Sequence, residues 1–282
     1  MKQAKEQIMK IVFAAAASVS ILALALICAF LFANGIPAIR EIGLFDFLGG
    51  EKWKPSNDFY GIFPMILGSI YVTAGALVIG VPIGLFCAVF LARFCPQKLY
   101  KVLKPAVELL AGIPSVVYGF FGLVVLVPFV RNEIGGNGSS MLTASILLGI
   151  MILPTIITVS EAAIRAVPES YYEGGLALGA THERSVFFTT LPAAKSGILA
   201  GVILGVGRAI GETMAVVMVA GNQARMPAGL LKGIRTMTAN IVIEMGYATD
   251  LHREALIATA VVLFVFILLI NLLFSALKRK AL

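Results

Sequence analysis

The sequence predicts an all-α polytopic membrane protein with about six transmembrane helices. Of its 282 residues, 59% are apolar and 13% are charged, and the mean hydropathy is +0.96. A soluble domain carries about 25% charged residues, so this composition is typical of a chain that lies in lipid. The apolar residues form long unbroken runs, whereas a membrane β-barrel is built from short alternating strands.

Crossing about 30 Å of hydrocarbon takes about 20 helical residues, and six apolar runs are long enough. The first run exceeds the apolar core of about 7–15 residues in a cleaved signal peptide, which predicts a retained helix. The second run contains Pro82, which predicts a kink or a tilt. The six predicted spans are Ile11–Ala33, Gly61–Leu91, Ala106–Val130, Leu142–Ile164, Gly197–Ala220 and Ala255–Leu277.

The distribution of basic residues predicts the orientation of these spans. Lys and Arg are concentrated in residues 1–10, 92–105, 165–196 and 278–280, which alternate with the loops of the other side. The basic residues of those other loops are fewer and are accompanied by Asp and Glu. Because segments rich in Lys and Arg stay in the cytoplasm, we expect both termini to be cytoplasmic.

This arrangement predicts two regions. Residues 1–60 would form an N-terminal transmembrane helix and an external loop. Residues 61–282 would form a transmembrane domain with a cytoplasmic loop at about residues 165–192. The longest external loops, residues 34–60 and 221–254, are too short to fold as separate domains.

Several function classes lack the residues that they need. The sequence has no G-x-x-x-x-G-K-[ST] phosphate-binding loop, so the energy for uphill transport would come from another subunit. The cysteines and histidines show no metal-ligand spacing, and no Asp lies within a predicted span. The basic residues form no single patch of the kind that binds nucleic acid. We therefore expect no catalytic residue, no metal site, no cofactor and no nucleic-acid partner.

Residues 165–192 are predicted to form two short helices separated by a turn. Pro168 ends the fourth span or begins a new helix, and Glu169–Leu178 follows as a short helix that Gly179 ends. A second short segment, residues 182–190, then leads into Leu191-Pro192 and the fifth span.

The spacing within this loop resembles the E-A-A-x3-G-x9-I-x-L-P motif of ABC importer permeases, with Glu173 in the position of its glutamate. In that family the loop is a helix-turn-helix that docks in a cleft of the ATP-binding subunit and transmits its closure to the spans. The resemblance therefore implies the ABC type I importer permease fold and a coupling role for this loop. The residues that it assigns to coupling are Glu173, Gly174, Gly175, Gly179, Leu191 and Pro192.

The loop departs from the family motif at three positions. Gly174 and Gly175 replace the two alanines of the motif, and Thr189 replaces its isoleucine. Each glycine costs about 1 kcal/mol of helix propensity. We therefore expect the first helix of the loop to be firm only when it is docked.

Further motifs resemble phosphate permeases of the PstC type, from about residue 55 onwards. They are Glu108–Gly119, Met151–Thr155, Arg208–Val216 and Gly221-Asn222. The sister permeases of the PstA type typically have Gly-Glu-Thr-Ala-Pro-Leu where this chain has Gly-Glu-Thr-Met-Ala-Val. The resemblance implies a location in the bacterial inner membrane, within the lipid bilayer. It also implies a complex with a PstA-like sister permease, two ATP-binding subunits and an external phosphate-binding protein.

Arg208, Glu212 and Thr213 are the predicted substrate-path residues. Arg208 and Glu212 are four residues apart, one turn of a helix, inside the fifth apolar run. An Arg at the centre of a span costs about 2.5–3.5 kcal/mol on insertion scales, so it should face the bundle interior or a watery cavity. Its planar fork of donors suits a tetrahedral oxyanion, and Thr213 would add a nearby hydroxyl. The alternative is an Arg208–Glu212 ion pair that only holds two helices together.

Three other functions remain as alternatives. A passive anion channel would also place an arginine in a polar path, but it has no use for an ATPase-docking loop. A permease for another oxyanion, such as sulfate or molybdate, is opposed only by the phosphate-type motifs. An enzyme of the membrane core lacks a catalytic constellation. The resemblance thus leads us to expect the permease subunit of an ATP-driven phosphate importer.

Overall fold

The computed structural model of the chain describes residues 2–280. Over these residues the regular secondary structure is helical apart from one short hairpin, in which Trp53–Lys54 (β1) pairs antiparallel with Phe59–Tyr60 (β2), and an isolated β-bridge between Gly221 and Ile234. The α-helices are α1 Lys2–Ile42, α2 Leu44–Gly49, α3 Phe63–Val89, α4 Gln97–Gly112, α5 Ser115–Phe121, α6 Val127–Phe129, α7 Met141–Arg165, α8 Glu169–Ala177, α9 His182–Ser185, α10 Leu191–Ala193, α11 Lys195–Gly211, α12 Met214–Val219, α13 Met237–Glu244 and α14 Asp250–Lys280. Wider π-helical turns lie at Phe90–Phe94, Gly122–Leu126, Val130–Ile134 and Val186–Thr190, and a 3₁₀ turn lies at Pro55–Asn57.

Within the described residues, 5 stretches of helix are long and apolar enough to cross a membrane. They are Glu6–Ile42, Phe63–Phe94, Ser115–Ile134, Met141–Arg165 and Asp250–Leu273. Counting the bent pair His182–Ala193 and Lys195–Gly211, whose parts meet at 70°, as one span makes the number 6. The predicted all-α polytopic fold with about six transmembrane helices is therefore confirmed.

The predicted start of the third span, Ala106, is wrong. Residues 97–112 form the separate helix α4, which is amphipathic and ends before Pro114. A proline disfavours helical backbone at the residue before it, and Ile113 has the extended values φ −69° and ψ 126°. The span consequently begins at Ser115, after the break. Summed hydropathy hides such a break because the last turns of α4, residues 106–112, are as largely apolar as the start of α5.

The predicted fifth span, Gly197–Ala220, is also not one helix. α11 ends at Gly211 and α12 begins at Met214. The two residues between them, Glu212 and Thr213, have non-helical backbone angles. The interruption falls at two of the three predicted substrate-path residues.

Helix α7 is central in the bundle and packs between α3 and α11. Small residues allow close approach on both sides. A Cβ atom on Gly80 of α3 would lie 2.8 Å from the Gly149 carbonyl oxygen, and one on Gly205 of α11 would lie 3.0 Å from the Ile156 side chain. This packing places Thr155 of α7 beside the last turn of α11.

Helix α1 contacts the rest of the chain through its C-terminal part. It has 41 residues, or roughly 60 Å at 1.5 Å per residue, and continues past the predicted end of the span at Ala33. A Cβ atom on Gly35 would lie 2.7 Å from a methyl group of Val261 in α14. The Phe32 ring meets Phe264 edge-on at 6.0 Å. The side chains of residues 6–27 are exposed on the isolated chain, as expected of a helix surrounded by lipid.

The two ends of the bundle, the loop end and the hairpin end, are built from different elements. At the loop end, the last turn of α3, the end of α7, α8 and residues 186–198 lie together around a buried cluster that includes Ile164 and Val186. Helix α4 lies beside α7 at the same end, where Tyr100 bonds Glu161. At the hairpin end, the β-hairpin, α2 and α13 pack around Phe47 and Met237. Along the chain, the interrupted helix that contains Glu212 follows the loop at residues 165–192 and precedes α13 of the hairpin end.

Candidate functional site

The break between α11 and α12 is stabilised by specific hydrogen bonds. Glu212 is extended, with φ −68° and ψ 132°, and its Oε1 accepts the Ala215 backbone N–H at 3.2 Å. The carboxylate therefore caps the first turn of α12 in the way that acidic residues cap helix N-termini. The Glu212 carbonyl oxygen accepts the Thr238 hydroxyl of α13 at 3.0 Å, and the Thr213 hydroxyl bonds the Gly211 carbonyl at 3.2 Å.

Arg208 lies in the last turn of α11 and is half-buried. Its Nη1 donates to Thr155 Oγ1 of α7 at 3.2 Å. The expectation that Arg208 and Glu212 lie on consecutive turns of one helix is wrong, because the helix ends at Gly211. Among the described residues these two side chains form no ion pair within 4 Å, so the contact that the structural alternative requires is not present.

The surroundings of Arg208 are open on one face of α11. A Cβ atom added to Gly207 or to Gly211 would meet no heavy atom within 4 Å. Leu204, one turn before Arg208, is 55% exposed although it is apolar. Most of the five N–H donors of the guanidinium are thus free to bind an oxyanion that enters from this face. Glu212 is the nearest acid in the sequence, and its Oε2 has no partner among the residues described.

The loop at residues 165–192 has the predicted helix-turn-helix structure. Helix α8 ends in a Schellman motif, in which the Gly179 N–H bonds the Leu176 carbonyl at 2.9 Å and the Ala180 N–H bonds the Gly175 carbonyl at 3.1 Å. Gly179 has φ +83°, a conformation that favours glycine. The Thr181 hydroxyl then caps α9 by accepting the Arg184 N–H at 3.3 Å.

The coupling residues predicted in this loop have different environments. Gly175 faces α9 so closely that a Cβ atom there would lie 2.4 Å from Ser185 Oγ, whereas a Cβ on Gly174 would meet nothing within 4 Å. Glu173 is exposed, Leu191 is half-buried and Pro192 lies in the first turn of α10. Gly175 thus sets the spacing between the two short helices.

The outer face of the loop carries two large exposed apolar side chains. Leu178 is 91% exposed and Phe188 is 77% exposed, and both line an open groove beside Gly179. Sequence reasoning did not single out these two side chains, because each lies in a short segment without clear periodicity. Large apolar side chains at the surface of a loop mark a site of protein contact.

The loop is fastened to the end of α3 by polar and aromatic contacts. Arg93 pairs with Glu169 at 2.9 Å, and its guanidinium lies 5.7 Å from the centre of the Tyr172 ring. The Tyr172 hydroxyl is 2.7 Å from His182 Nδ1, and the His182 ring meets Phe94 at 4.8 Å. Movement of the loop therefore bears directly on the end of a transmembrane helix.

Glu161 of α7 is a buried acid that sequence reasoning missed. It is 2% exposed, and its carboxylate accepts hydrogen bonds of 2.7 Å from Tyr100, Lys104 and Arg165. The hydrogen bond to Glu161, with burial, raises the pKa of Tyr100. Burial lowers the pKa of Lys104, but its hydrogen bond and attraction to Glu161 outweigh burial, and the net shift is upward. A charged residue inside an apolar run was the available signal.

Glu244 at the hairpin end is a second buried acid that sequence reasoning missed. Its carboxylate accepts the Trp53 indole N–H at 2.7 Å, lies 2.9 Å from His252 Nε2 and also pairs with Arg235. Arg235 reaches further, to the Asn222 carbonyl oxygen at 3.0 Å. No signal in the sequence could have joined these residues, because Trp53 and Glu244 are 191 positions apart.

No group of three or more His, Cys, Asp and Glu residues in the described part of the chain is arranged to hold a metal ion. The cysteines Cys28, Cys87 and Cys95 are free. Within the described residues, the candidate functional sites are therefore the guanidinium and carboxylate at the helix break, and the surface of the loop.

The fold of the described residues, a bundle of transmembrane helices with a surface loop of two short helices, is that of ABC importer permeases. Two solved transporters have this fold. The methionine transporter MetNI, in inward-facing conformations, is 21% identical, with 79% of this chain and 94% of that chain covered and a TM-score of 0.58. A bacterial ABC transporter involved in the import of the acidic polysaccharide alginate is 15% identical, with 97% and 99% covered and a TM-score of 0.60.

The family model of the binding-protein-dependent transport system inner membrane component matches residues 80–282, and the chain belongs to this family. The probable ABC transporter permease protein YqgH of Bacillus subtilis is 39% identical, covering 96% of this chain and 91% of that protein. The phosphate transport system permease protein PstC of Mesorhizobium japonicum is 36% identical, covering 85% and 80%. PstC 1 of Mycobacterium tuberculosis is 34% identical, covering 86% and 84%.

The predicted family and fold are therefore confirmed. The chain is a multi-pass inner-membrane permease subunit of a family without catalytic activity of its own. ABC importer permeases work with ATPase subunits and a binding protein.

Proposed function

We propose that this chain is the permease subunit of an ATP-driven phosphate importer. The observation that carries the proposal is a half-buried guanidinium, Arg208, at an interrupted transmembrane helix with an open face beside it. A charge inside a membrane is costly, and helix interruptions in transporters line the substrate site. The relatives named as phosphate permeases support phosphate as the anion.

In this proposal the anion is contacted by three side chains, those of Arg208, Glu212 and Thr213. Arg208 offers paired donors from a position held by Thr155. The Thr213 hydroxyl, which donates to the Gly211 carbonyl, offers its oxygen as an acceptor for a phosphate hydroxyl. The ionised Glu212 is an acceptor only. Phosphate near neutral pH keeps at least one proton that this carboxylate can accept, whereas sulfate has none and is repelled. The carboxylate would therefore select phosphate over sulfate.

The loop at residues 165–192 is proposed to dock on the ATPase subunit. Its exposed Leu178 and Phe188 supply apolar surface of the kind that marks interaction sites. Gly179 forms the turn between the helices, and Gly175 permits their close packing. The remaining coupling residues, Glu173, Gly174, Leu191 and Pro192, belong to the same short helices and the entry to α11.

The proposed complex contains a PstA-like sister permease, two ATP-binding subunits and an external phosphate-binding protein. The open face of α11 beside Gly207 and Gly211 is the face that the sister permease would cover to close the path. Residues 61–282 would then be the permease domain proper, and residues 1–60 an added helix and external loop.

The proposed orientation places both termini and the loop end in the cytoplasm. A cysteine at Lys98 should react with an impermeant thiol reagent only after the membrane is opened, and one at Asn57 should react in intact cells. The three native cysteines, Cys28, Cys87 and Cys95, are replaced first. The reverse labelling pattern would overturn the orientation.

The function is tested with the complex that co-purifies with this chain, reconstituted in proteoliposomes. We expect uptake of labelled phosphate that requires ATP on the loop side and a phosphate-binding protein on the other side. Uptake of sulfate or molybdate in place of phosphate would show that the transported anion is not phosphate. Phosphate flux without ATP would identify a passive channel instead.

A further inference from the structure

Helix α4 is held to the bundle by a narrow polar tether. No residue of α4 is fully buried, and it presents only one half-buried stripe, which includes Tyr100, Leu103 and Lys104, to its neighbours. Two of these side chains, Tyr100 and Lys104, bond the same Glu161 carboxylate of α7, each at 2.7 Å. The polar contacts of Tyr100 and Lys104 with the bundle therefore converge on one buried acid.

The same carboxylate is connected to the coupling loop. Arg165, the last residue of α7, donates to Glu161 at 2.7 Å and to the Leu91 carbonyl at 2.8 Å. Its guanidinium also lies 4.4 Å from the centre of the Tyr100 ring. Since Pro168, which precedes α8 of the loop, is less than one helical turn beyond Arg165, a displacement of α8 acts on the Glu161 cluster directly.

The other end of α4 is connected to the interrupted helix. The Tyr118 hydroxyl of α5 donates to the Leu110 carbonyl of α4 at 2.9 Å, across the break at Pro114. Helix α5 packs closely on α12, where a Cβ atom on Gly119 would lie 2.9 Å from the Ala215 Cα. The Ala215 N–H is the group that Glu212 caps. Contacts thus run without a gap from the loop to the proposed substrate path.

Stability alone does not account for the Glu161 cluster. Apolar residues of similar volume commonly stabilise an interior as well as a buried ion pair does, or better. A buried ion pair does fix one relative placement of the elements that it joins, here α4, α7 and the end of α3. That property is useful where a movement must be passed on rather than absorbed.

We propose that Glu161 is a positioning residue that passes displacement of the coupling loop to α4, and through α5 to the α12 side of the substrate path. The proposal rests on the proposed docking of the loop on an ATPase subunit. It is independent of which oxyanion is carried, because it concerns only how the helices move.

The test compares three variants of the assembled complex. Lys104→Met, made in every case together with Tyr100→Phe, removes both hydrogen bonds from α4 to Glu161 but leaves Glu161 paired with Arg165. Glu161→Gln weakens both sides of the cluster. Glu108→Gln is the matched control, because Glu108 contacts the same Lys104 at 3.6 Å but its side chain is 57% exposed.

We expect Lys104→Met and Glu161→Gln to hydrolyse ATP with a ratio of anion transported to ATP hydrolysed that is about 10-fold lower. Glu108→Gln should keep the wild-type ratio. Because the ratio is taken per assembled complex, a purely structural defect would lower yield without changing it. A wild-type ratio in Lys104→Met would overturn the proposal even if Glu161→Gln fails to assemble.

A distance measurement tests the movement itself. Spin labels at Lys101 on α4 and at Asn57 in the hairpin, with the native cysteines replaced, report the position of α4 relative to the hairpin end. Trapping with ATP should shift this distance in the otherwise wild-type complex and not in Lys104→Met. Equal shifts in both, or no shift in either, would overturn the role of Glu161. A complex that carries sulfate instead of phosphate would overturn the proposed substrate and leave this comparison intact.

Discussion

Glu244 and Glu212 are two acids in the same part of the chain with opposite surroundings. Glu244 is 6% exposed, and its carboxylate is contacted by Trp53, Arg235 and His252. Glu212 is half-buried, and the one hydrogen bond to its carboxylate within the described structure comes from the Ala215 backbone N–H.

The difference distinguishes an acid whose hydrogen-bonding capacity is used within the fold from an acid that can still bind a ligand. A buried acid with several donors has its hydrogen-bonding capacity used, and removing it leaves those donors unpaired. An acid with a free oxygen beside an open face retains capacity for a ligand. Burial and charge alone therefore do not identify a substrate residue, and the count of satisfied donors and acceptors is the better guide.

The largest effect is expected from Glu244→Ala. Removing one partner of a buried charged cluster costs about 3–5 kcal/mol, here because Arg235 and Trp53 lose their acceptor. The measurement is thermal or denaturant unfolding of the purified chain in detergent. Glu212→Ala is the matched control and should lose about 1 kcal/mol, the value of a helix cap. Equal losses in the two variants would remove the distinction between the acids.

Arg208→Gln should reduce phosphate transport by about 100-fold, the scale seen when one donor to a buried oxyanion is removed. Assembly with the partner subunits should be unchanged, because Arg208 forms a single hydrogen bond to Thr155 and no ion pair in the described structure. Uptake in proteoliposomes measures the loss. Arg131→Gln, at an exposed arginine, is the control and should transport normally. Normal transport by Arg208→Gln would make the residue structural.

Glu212→Gln should narrow the preference for phosphate over sulfate by about 10-fold. The expected size follows from the cost of about 1–3 kcal/mol for an unpaired buried polar group. Glutamine keeps an oxygen for the Ala215 N–H, so the cap of α12 remains. Paired uptake of the two labelled anions, with a binding protein that admits both, measures the ratio. An unchanged ratio would place selection in the binding protein.

The smallest effects sharpen the same contrast between a filled and an open environment, at two neighbouring glycines of α8. Gly174→Ala should stabilise the helix by about 1 kcal/mol, because alanine is the better helix former and the site is open. Gly175→Ala should not stabilise the helix in this way, since its Cβ would clash with Ser185 Oγ. Amide hydrogen exchange of α8 is the measurement. Equal protection in the two variants would show that α9 does not hold its place against α8.

The sequence was sufficient for the family, the number of spans and the helix-turn-helix of the loop, because these depend on apolar run length and local spacing. It was insufficient for the break at Glu212, since apolar helices on both sides hide it and no proline marks it. Pro114, by contrast, was an available sign of the break before the third span, but the predicted span Ala106–Val130 ran through it. Arg208 and Glu161 carry the same signal, a charge inside an apolar run, so Glu161 could have been predicted as well. The partners of Glu244 could not have been predicted from the sequence, because only tertiary packing brings them together.

The packing of α1 on α14 has a consequence for how the protein is made. The contact joins Gly35 to Val261, so the partner surface of α1 is among the last parts of the described chain to be synthesised. At about 5–20 residues per second, the ribosome needs roughly 10 to 45 s to cover that interval. During this time α1 must remain in the bilayer without its partner. Its most apolar stretch has a mean hydropathy of 2.7, so α1 can remain inserted in the bilayer before α14 is made. The bundle is therefore closed by its last helix, and ribosomes that stop early leave α1 inserted but unpaired.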